Sequence, residues 1–312
     1  MRFLKFLTLA LFLAFVACTS HKTGRKVRLS LNLQEGQTYK LKSNATQTMQ
    51  QTVHNMKQKI TTSIKGVMSF YVKERQNDKF IIDLTYNKLQ FKLTAPRAVI
   101  SFNSEDSNKT DNIYDRIYSQ FIGKKFTMII DRYGKVDTVQ GLDALGKSII
   151  NGLELKNPML KAQLVEDFKG MFGNKSLKSS LELLTCFFPK KPVHIGESWS
   201  NTIDLSSAFP ATFNNTWKLT DFDSTQAIIK GNALIESMNG GAPMRIGNMA
   251  ISYDVQGNQT SEIHIQPKSG WILFAKINSH VTGTIKVEKN TQLPNGLNIP
   301  FDLRTEADYQ SL

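Results

Sequence analysis

Residues 271–288 constrain the fold of this chain more than any other stretch. Trp271, Leu273, Ala275, Ile277, Val281, Ile285 and Val287 alternate with Lys276, Asn278, His280, Thr282, Thr284, Lys286 and Glu288. A period of two puts the first set on one face of a strand and the second on the other. The run is too long for one flat strand, and Gly283 is the expected place for a bend. It is expected to pair back on residues 262–265. A five-residue loop, 266–270, sets Ile265 opposite Trp271 and Ile263 opposite Leu273; a four-residue loop would split the apolar face.

The same alternation fills the first half. Val27, Leu29, Leu31 and Leu33 read as a strand, then Gly36 turns the chain into Tyr39, Leu41, Ala45, Met49 and Val53. Residues 55–59 read as a polar turn, followed by Ile60, Thr62, Ile64, Met68, Phe70 and Val72. Residues 76–79 turn again. Phe80, Ile82 and Leu84 then shift phase to Leu89, Phe91 and Leu93, which places a bulge near Asn87. Residues 103–112 form a loop by composition. Asp111 is the expected cap of a short helix that carries Ile113, Ile117 and Phe121 on one face. Residues 126–131 and 136–139 form a hairpin around 132–135.

From 141 to 188 the period becomes helical. Asn157 caps a helix with Pro158 at its first position, Leu160, Leu164, Phe168 and Met171 line one face, and Gly173 ends it. Residues 179–188 form another helix, stopped by Pro189. Strands resume at Glu197, with further runs at 217–220, 227–237 and 251–255, and a turn at 239–243. The expectation is a mainly-β α+β fold: long antiparallel meander sheets, as a curved half-barrel or a sandwich, with a central helical block.

The N-terminus carries an address. Arg2 and Lys5 precede an uncharged apolar run at residues 6–17, too short to span a bilayer as a helix. Val16 and Ala17 lead directly to Cys18, which resembles the lipobox of bacterial lipoproteins, although Phe15 stands where Leu is usual. The resemblance implies a thioether-linked diacylglycerol on Cys18 and an acyl group, such as palmitate, on its amine. Each buried methylene contributes about 0.8 kcal/mol, so two or three chains hold firmly. The expected organisation is a signal peptide at 1–17, a lipidated tether at 18–26, and one β-rich domain at 27–312 with a helical insertion at about 141–188. No acidic residue directly follows Cys18, as it does in surface-exported lipoproteins of the Bacteroidota, so an outer-membrane anchor facing the periplasm is expected. Lys22, Arg25, Lys26 and Arg28 would lie near anionic head groups.

The chain has 39 basic and 26 acidic residues, and losing Arg2 and Lys5 lowers its net charge from +13 to +11. That balance reads first as scattered solvated lysines, and it can also favour polyanions. An exported chain with no zinc-finger, helix-turn-helix or RNP pattern points to lipopolysaccharide or anionic phospholipid and away from nucleic acid. With Cys18 acylated, Cys186 has no partner for a disulfide. Its neighbours Leu183, Leu184, Phe187 and Phe188 mark it as a core thiol.

Four segments, LNLQEGQTYKLK, IGKKFTMIIDRYGKVDTVQGLDAL, FPKKPVHIGESW and QPKSGWILFAKINSHVTGTI, resemble a family of uncharacterised Bacteroidota lipoproteins known only as a domain of unknown function. Its motifs are turn glycines (Gly36, Gly134, Gly141, Gly196, Gly270) and the anchors Trp199 and Trp271, and it implies no catalytic residue. Asp137-Thr138-Val139 and Asp223-Ser224-Thr225 resemble Bacteroidota O-glycosylation sites, at Thr138 and Ser224.

No nucleophile elbow, P-loop, dinucleotide fingerprint or zincin helix is present, so no catalytic residue, metal or cofactor is assigned and no enzyme is expected. Glu262 and His264 share a strand face and would need a third ligand to hold a metal. Three readings follow. The first is a carrier of a hydrophobic or envelope ligand, with residues 142–188 lidding a cavity near Trp199 and Trp271. The second is an assembly lipoprotein that contacts an envelope protein through an apolar or basic patch. The third is a glycan hydrolase with two carboxylates about 5 to 9.5 Å apart in a cleft.

Overall fold

Alternating side chains become antiparallel ladders wherever one face can be buried, and here they do so along nearly the whole chain. The computed structural model describes residues 26–53, 55–106, 112–205, 210–241, 243–246, 249–289 and 293–312. Segment 1–17, Cys18, most of the tether and Asp111 lie outside the described residues. The first meander contains β1 (Thr38–Val53), β2 (Met56–Gln76), β3 (Lys79–Ala95) and β4 (Ala98–Asn103). It continues through α1 (Ile113–Phe121) to β5 (Lys125–Asp131) and β6 (Val136–Gln140). The helical block is α2 (Leu142–Asn151), α3 (Pro158–Phe172) and α4 (Asn174–Thr185). The second meander is β7 (Ser198–Leu205), β8 (Ala211–Phe222), β9 (Ala227–Ser237), β10 (Met244–Ile246), β11 (Met249–Ile265), β12 (Ile272–Val287) and β13 (Leu297–Ser311).

All these strands join one sheet, ordered β6-β5-β3-β2-β1-β13-β12-β11-β9-β8-β7, with β4 added to β3 and β10 to β11. The two meanders meet where β1 pairs with β13, Ala45 opposite Ala307. β6 and β7 are the ends of the path, and α4 packs against both. The half-barrel outline therefore applies, and the sandwich alternative does not: one sheet curls around a helical block that fills the gap between its edges. Thr185 Oγ1 donates to the Gly134 carbonyl in the β5–β6 turn at 2.7 Å. On the other side, Trp199 Nε1 donates to the Phe187 carbonyl at 2.8 Å.

Several local expectations hold. The β2–β3 register skips Asn87, because Val67 pairs with Lys88 and Met68 with Tyr86. Asn157 caps α3 by accepting from the Met159 and Leu160 amides, with Pro158 at the helix start and Gly173 at its end. Replacing Asn157 by alanine orphans two helix-end donors in an exposed cap; we expect a loss of about 1 kcal/mol in chemical denaturation.

Others are corrected. Residues 27–33 form no ladder strand. They make a strap held by a Val27–Val193 bridge, the Leu31 amide on the Arg132 carbonyl and the Asn32 amide on the Ser269 carbonyl. The strap buries Leu29, Leu31 and Leu33 across one end of the sheet and stitches turns from both meanders. The α1 cap is Asn112, whose side chain accepts from the Asp115 amide. The buried face of α3 is Leu164, Phe168 and Phe172, while Leu160 and Met171 are exposed. α4 begins at Asn174, five residues before the expected start. The runs at 251–255 and 262–265 are parts of one strand, β11. Ile263 faces Ala275 and Ile265 faces Ile272, because a bulge at Leu273 shifts the register. β12 pairs through Gly283 without a break, and a Cβ there would overlap the Asp254 carbonyl oxygen. The glycine serves close backbone approach in place of a bend.

Candidate functional site

The concave face of the sheet is apolar in bands, and one band is polar. Thr62 of β2 faces Gln47 of β1, and Gln47 faces Thr305 of β13. Thr305 faces Ser279 of β12, which faces Gln259 of β11. After Ala233, the row ends at Asn215 and Asn201 on β8 and β7. Seven polar side chains thus share one register line across eight strands. Those rows are flanked by Ile64, Ala45, Ala307 and Ile277 on one side and by Ile60, Met49, Leu303 and Val281 on the other.

Where this row passes under α4 there is a cavity of about 280 Å³. Its walls include Ile64, Ile277, Val281 and Leu303 from the sheet and Ser180, Leu183 and Leu184 from α4. Gln47, Thr62, Gln259, Ser279 and Thr305 form a polar stripe along its floor. No described residue lining it is charged. The volume lies near the lower end of small-molecule pockets, about 300 to 1,000 Å³, and exposed Gln47 marks the side open to solvent. Tyr309 closes one end, and burial pushes its phenol up to about 12, so the hydroxyl stays neutral and able to donate.

At the β7 end the row is tied to the helical block. Trp217 Nε1 donates to Asn201 Oδ1 at 3.0 Å, and Asn201 Nδ2 donates to the Cys186 carbonyl. Cys186 itself is half-buried, and burial, followed by the nearby Glu182 charge, raises its thiol to about 11. It is therefore a protonated packing group at neutral pH.

The two tryptophans expected at a cavity sit elsewhere. Trp271 stacks edge-on to Phe70, donates to Ser311 Oγ at 3.2 Å, and borders only a packing void of about 20 Å³ under the strap. Trp199 pins the end of the helical block. Neither lines the 280 Å³ cavity. Thr138 is half-buried on edge strand β6. Ser224 is exposed in a turn where Asp223 accepts from Thr225 and Gln226. Glu262 and His264 meet on the convex face, 3.0 Å apart, with Lys230 3.2 Å from Glu262. The hydrogen bonds from His264 and Lys230 hold the Glu262 carboxyl below its ordinary range. Among the described residues no three His, Cys, Asp or Glu side chains converge as metal ligands.

The profile of a family of unknown function, DUF6263, matches residues 77–272. The chain belongs to that family. The matched region starts at the β2–β3 turn and ends at the start of β12, so it contains the helical block and Gln259 but not Gln47, Thr62, Ser279 or Thr305. No curated protein matches the sequence. Among solved structures, one of lipid–protein interactions in lipovitellin superposes with a TM-score of 0.47 and 9% identity over 88% of this chain. The family member spans 25% of that lipovitellin chain. An outer membrane channel from Pseudomonas putida F1 aligns over 90% of this chain and 97% of its own at a TM-score of 0.19 and 6% identity. OccK5 of Pseudomonas aeruginosa aligns over 89% and 99% at 0.19 and 7%. Scores this low leave the fold resting on the chain's own ladders. Among the described residues no helix is long and apolar enough to cross a membrane.

Proposed function

We propose that this family member is an exported lipoprotein that holds a hydrophobic ligand on its concave sheet face, beneath α4. Cys18 carries the lipid anchor, and the domain faces the periplasm from the outer membrane. It acts by binding, without a catalytic step. The observation that supports this reading is the cavity of about 280 Å³ with Ile64, Ile277, Val281 and Leu303 in its walls. Apolar surface left open in this way gains about 25 cal/mol per Å² when a ligand covers it.

The test is binding of the apolar fluorophore N-phenyl-1-naphthylamine to the full chain and to Ala45→Trp. Ala45 lines the cavity, and an indole there fills it. Saturable binding that weakens about tenfold or more in the variant, at unchanged melting temperature, is the expected result. Equal binding by both proteins would sink the reading. Mass spectrometry of the same preparation reads the anchor as acyl-chain mass on a chain that begins at Cys18.

The assembly reading has its own observation. A groove of about 880 Å³ on the convex face is lined by Lys40, Lys42, Lys65 and Lys88. Lys88 pairs with Glu105, whereas Lys40, Lys42 and Lys65 make no ion pair among the described residues. That patch suits a polyanionic envelope partner.

A further inference from the structure

We propose that the cavity selects amphiphiles whose polar group is uncharged, a hydroxyl, ester or amide, and discriminates against free carboxylates and phosphates. This rests on the ligand-binding reading above and adds the ligand's chemical class.

The polar row is the observation that carries it. Gln47, Thr62, Gln259, Ser279 and Thr305 cross the cavity floor at one register level, with apolar rows on both sides. A plain hydrocarbon laid across the floor would strip water from these five groups and return nothing to them, which is unfavourable. The side-chain bonds these groups make are long. Gln47 Nε2 reaches Thr305 Oγ1 at 3.4 Å, and Gln259 Nε2 reaches Ser261 Oγ at 3.4 Å, both beyond the usual range of about 2.7 to 3.2 Å. The Thr62 and Ser279 hydroxyls have no protein partner among the described residues. The Gln259 side chain is held in place, since that residue is only 6% exposed. The floor therefore offers amide and hydroxyl donors and acceptors at one register level in an apolar trough.

The sign of the selection comes from charge. No described lining residue is Lys, Arg, His, Asp or Glu. A carboxylate or phosphate seated on the row would lose water without meeting a counter-ion, whereas a neutral polar group would exchange water for the row's donors and acceptors. The basic groove on β1–β3 cannot compensate, because Lys40, Lys42 and Lys65 lie on the opposite, convex face.

The experiment is displacement of N-phenyl-1-naphthylamine from the full chain by two competitors with the same chain, 1-monododecanoylglycerol and dodecanoate, at pH 8 and below their micellar concentrations. The expected result is that the glyceride competes about tenfold or more tightly. Thr305→Val, nearly isosteric, and Gln259→Leu should narrow that ratio by weakening the glyceride relative to dodecanoate, with each displacement read against the variant's own probe affinity. Dodecanoate competing as well as the glyceride, or a ratio unmoved in both variants, would overturn the selectivity and leave the ligand-binding reading standing. Failure of the probe itself to bind would overturn both.

Discussion

Replacing Gly134 by alanine is expected to cost about 4 kcal/mol of stability, far more than the same change at Gly36. Both glycines turn with positive φ, +83° and +79°. An added Cβ therefore meets the same backbone penalty at each, about 1 kcal/mol or somewhat more. The surroundings differ. Nothing lies within 4 Å of a Cβ at Gly36, whereas at Gly134 it would overlap the Thr185 carbonyl oxygen and lie 3.1 Å from the Cys186 amide nitrogen. Those are backbone atoms at the end of α4, and they cannot swing aside. The Gly134 carbonyl also accepts from Thr185 Oγ1, so displacing α4 breaks the contact that fastens it to the β5–β6 turn. Because Leu183 and Leu184 of α4 wall the cavity, Gly134→Ala should also weaken apolar-probe binding. Chemical denaturation of the two variants decides it: equal losses at Gly36 and Gly134 would mean that α4 is not held at this turn.

Much of the fold was legible because its signals are local. Alternation at Ala227–Ser237 and Lys125–Asp131 needs nothing beyond neighbouring residues to become β9 and β5. The Asn157–Pro158 pair likewise carries its own stop-and-start chemistry. Sequence pattern and structure part where the deciding partner is distant. Residues 27–33 have a strand's pattern, but the groups they bond belong to the turns at Arg132 and Ser269, over a hundred residues away in chain order. Ile263 faces Ala275 and not Leu273 because Gly270 passes close to the Ser30 carbonyl and Leu273 bulges, neither of which the loop length reveals. On α3, Leu160 and Met171 look as apolar as Phe172. Gly146 lets Phe168 press against α2, and Phe172 joins it on the buried side while Leu160 and Met171 stay exposed.

The candidate site was visible only in fragments. Gln47, Thr62 and Ser279 each interrupt an apolar alternation between Ala45 and Met49, Ile60 and Ile64, and Ile277 and Val281. One polar residue in an inner-face pattern is unremarkable. Five of them become a site because four separate ladders bring them to one level, and that alignment depends on turn lengths at every hairpin. Trp199 and Trp271 are conspicuous in the sequence by size alone. They went to the end of the helical block and under the strap, where large apolar volume stabilises the core most, and the aromatic side chains at the cavity are Phe213 and Tyr309.

Trp217 and Gly231 are expected to be energetically coupled by about 1 to 3 kcal/mol. They are direct cross-strand partners on β8 and β9, and the Trp217 ring lies over Gly231 where a Cβ would be. Trp217 is 1% exposed, the bulkiest of the fully buried side chains. Its Nε1 holds Asn201, which reaches on to the Cys186 carbonyl beyond α4. Gly231→Ala forces the ring off its seat and is expected to cost about 2 to 3 kcal/mol by overpacking. Trp217→Leu removes the ring and leaves Asn201 Oδ1 without its donor, at about 3 to 4 kcal/mol. With leucine at 217, the space over residue 231 is empty and a methyl group there fills part of it. The double variant should therefore be no less stable than Trp217→Leu alone, although the single losses sum to considerably more. Denaturant midpoints of the four proteins give the coupling directly. Losses that add within about 0.5 kcal/mol would show that the ring has another low-energy seat. In that event the tie from β8 through Asn201 to the helical block would be looser than this packing implies.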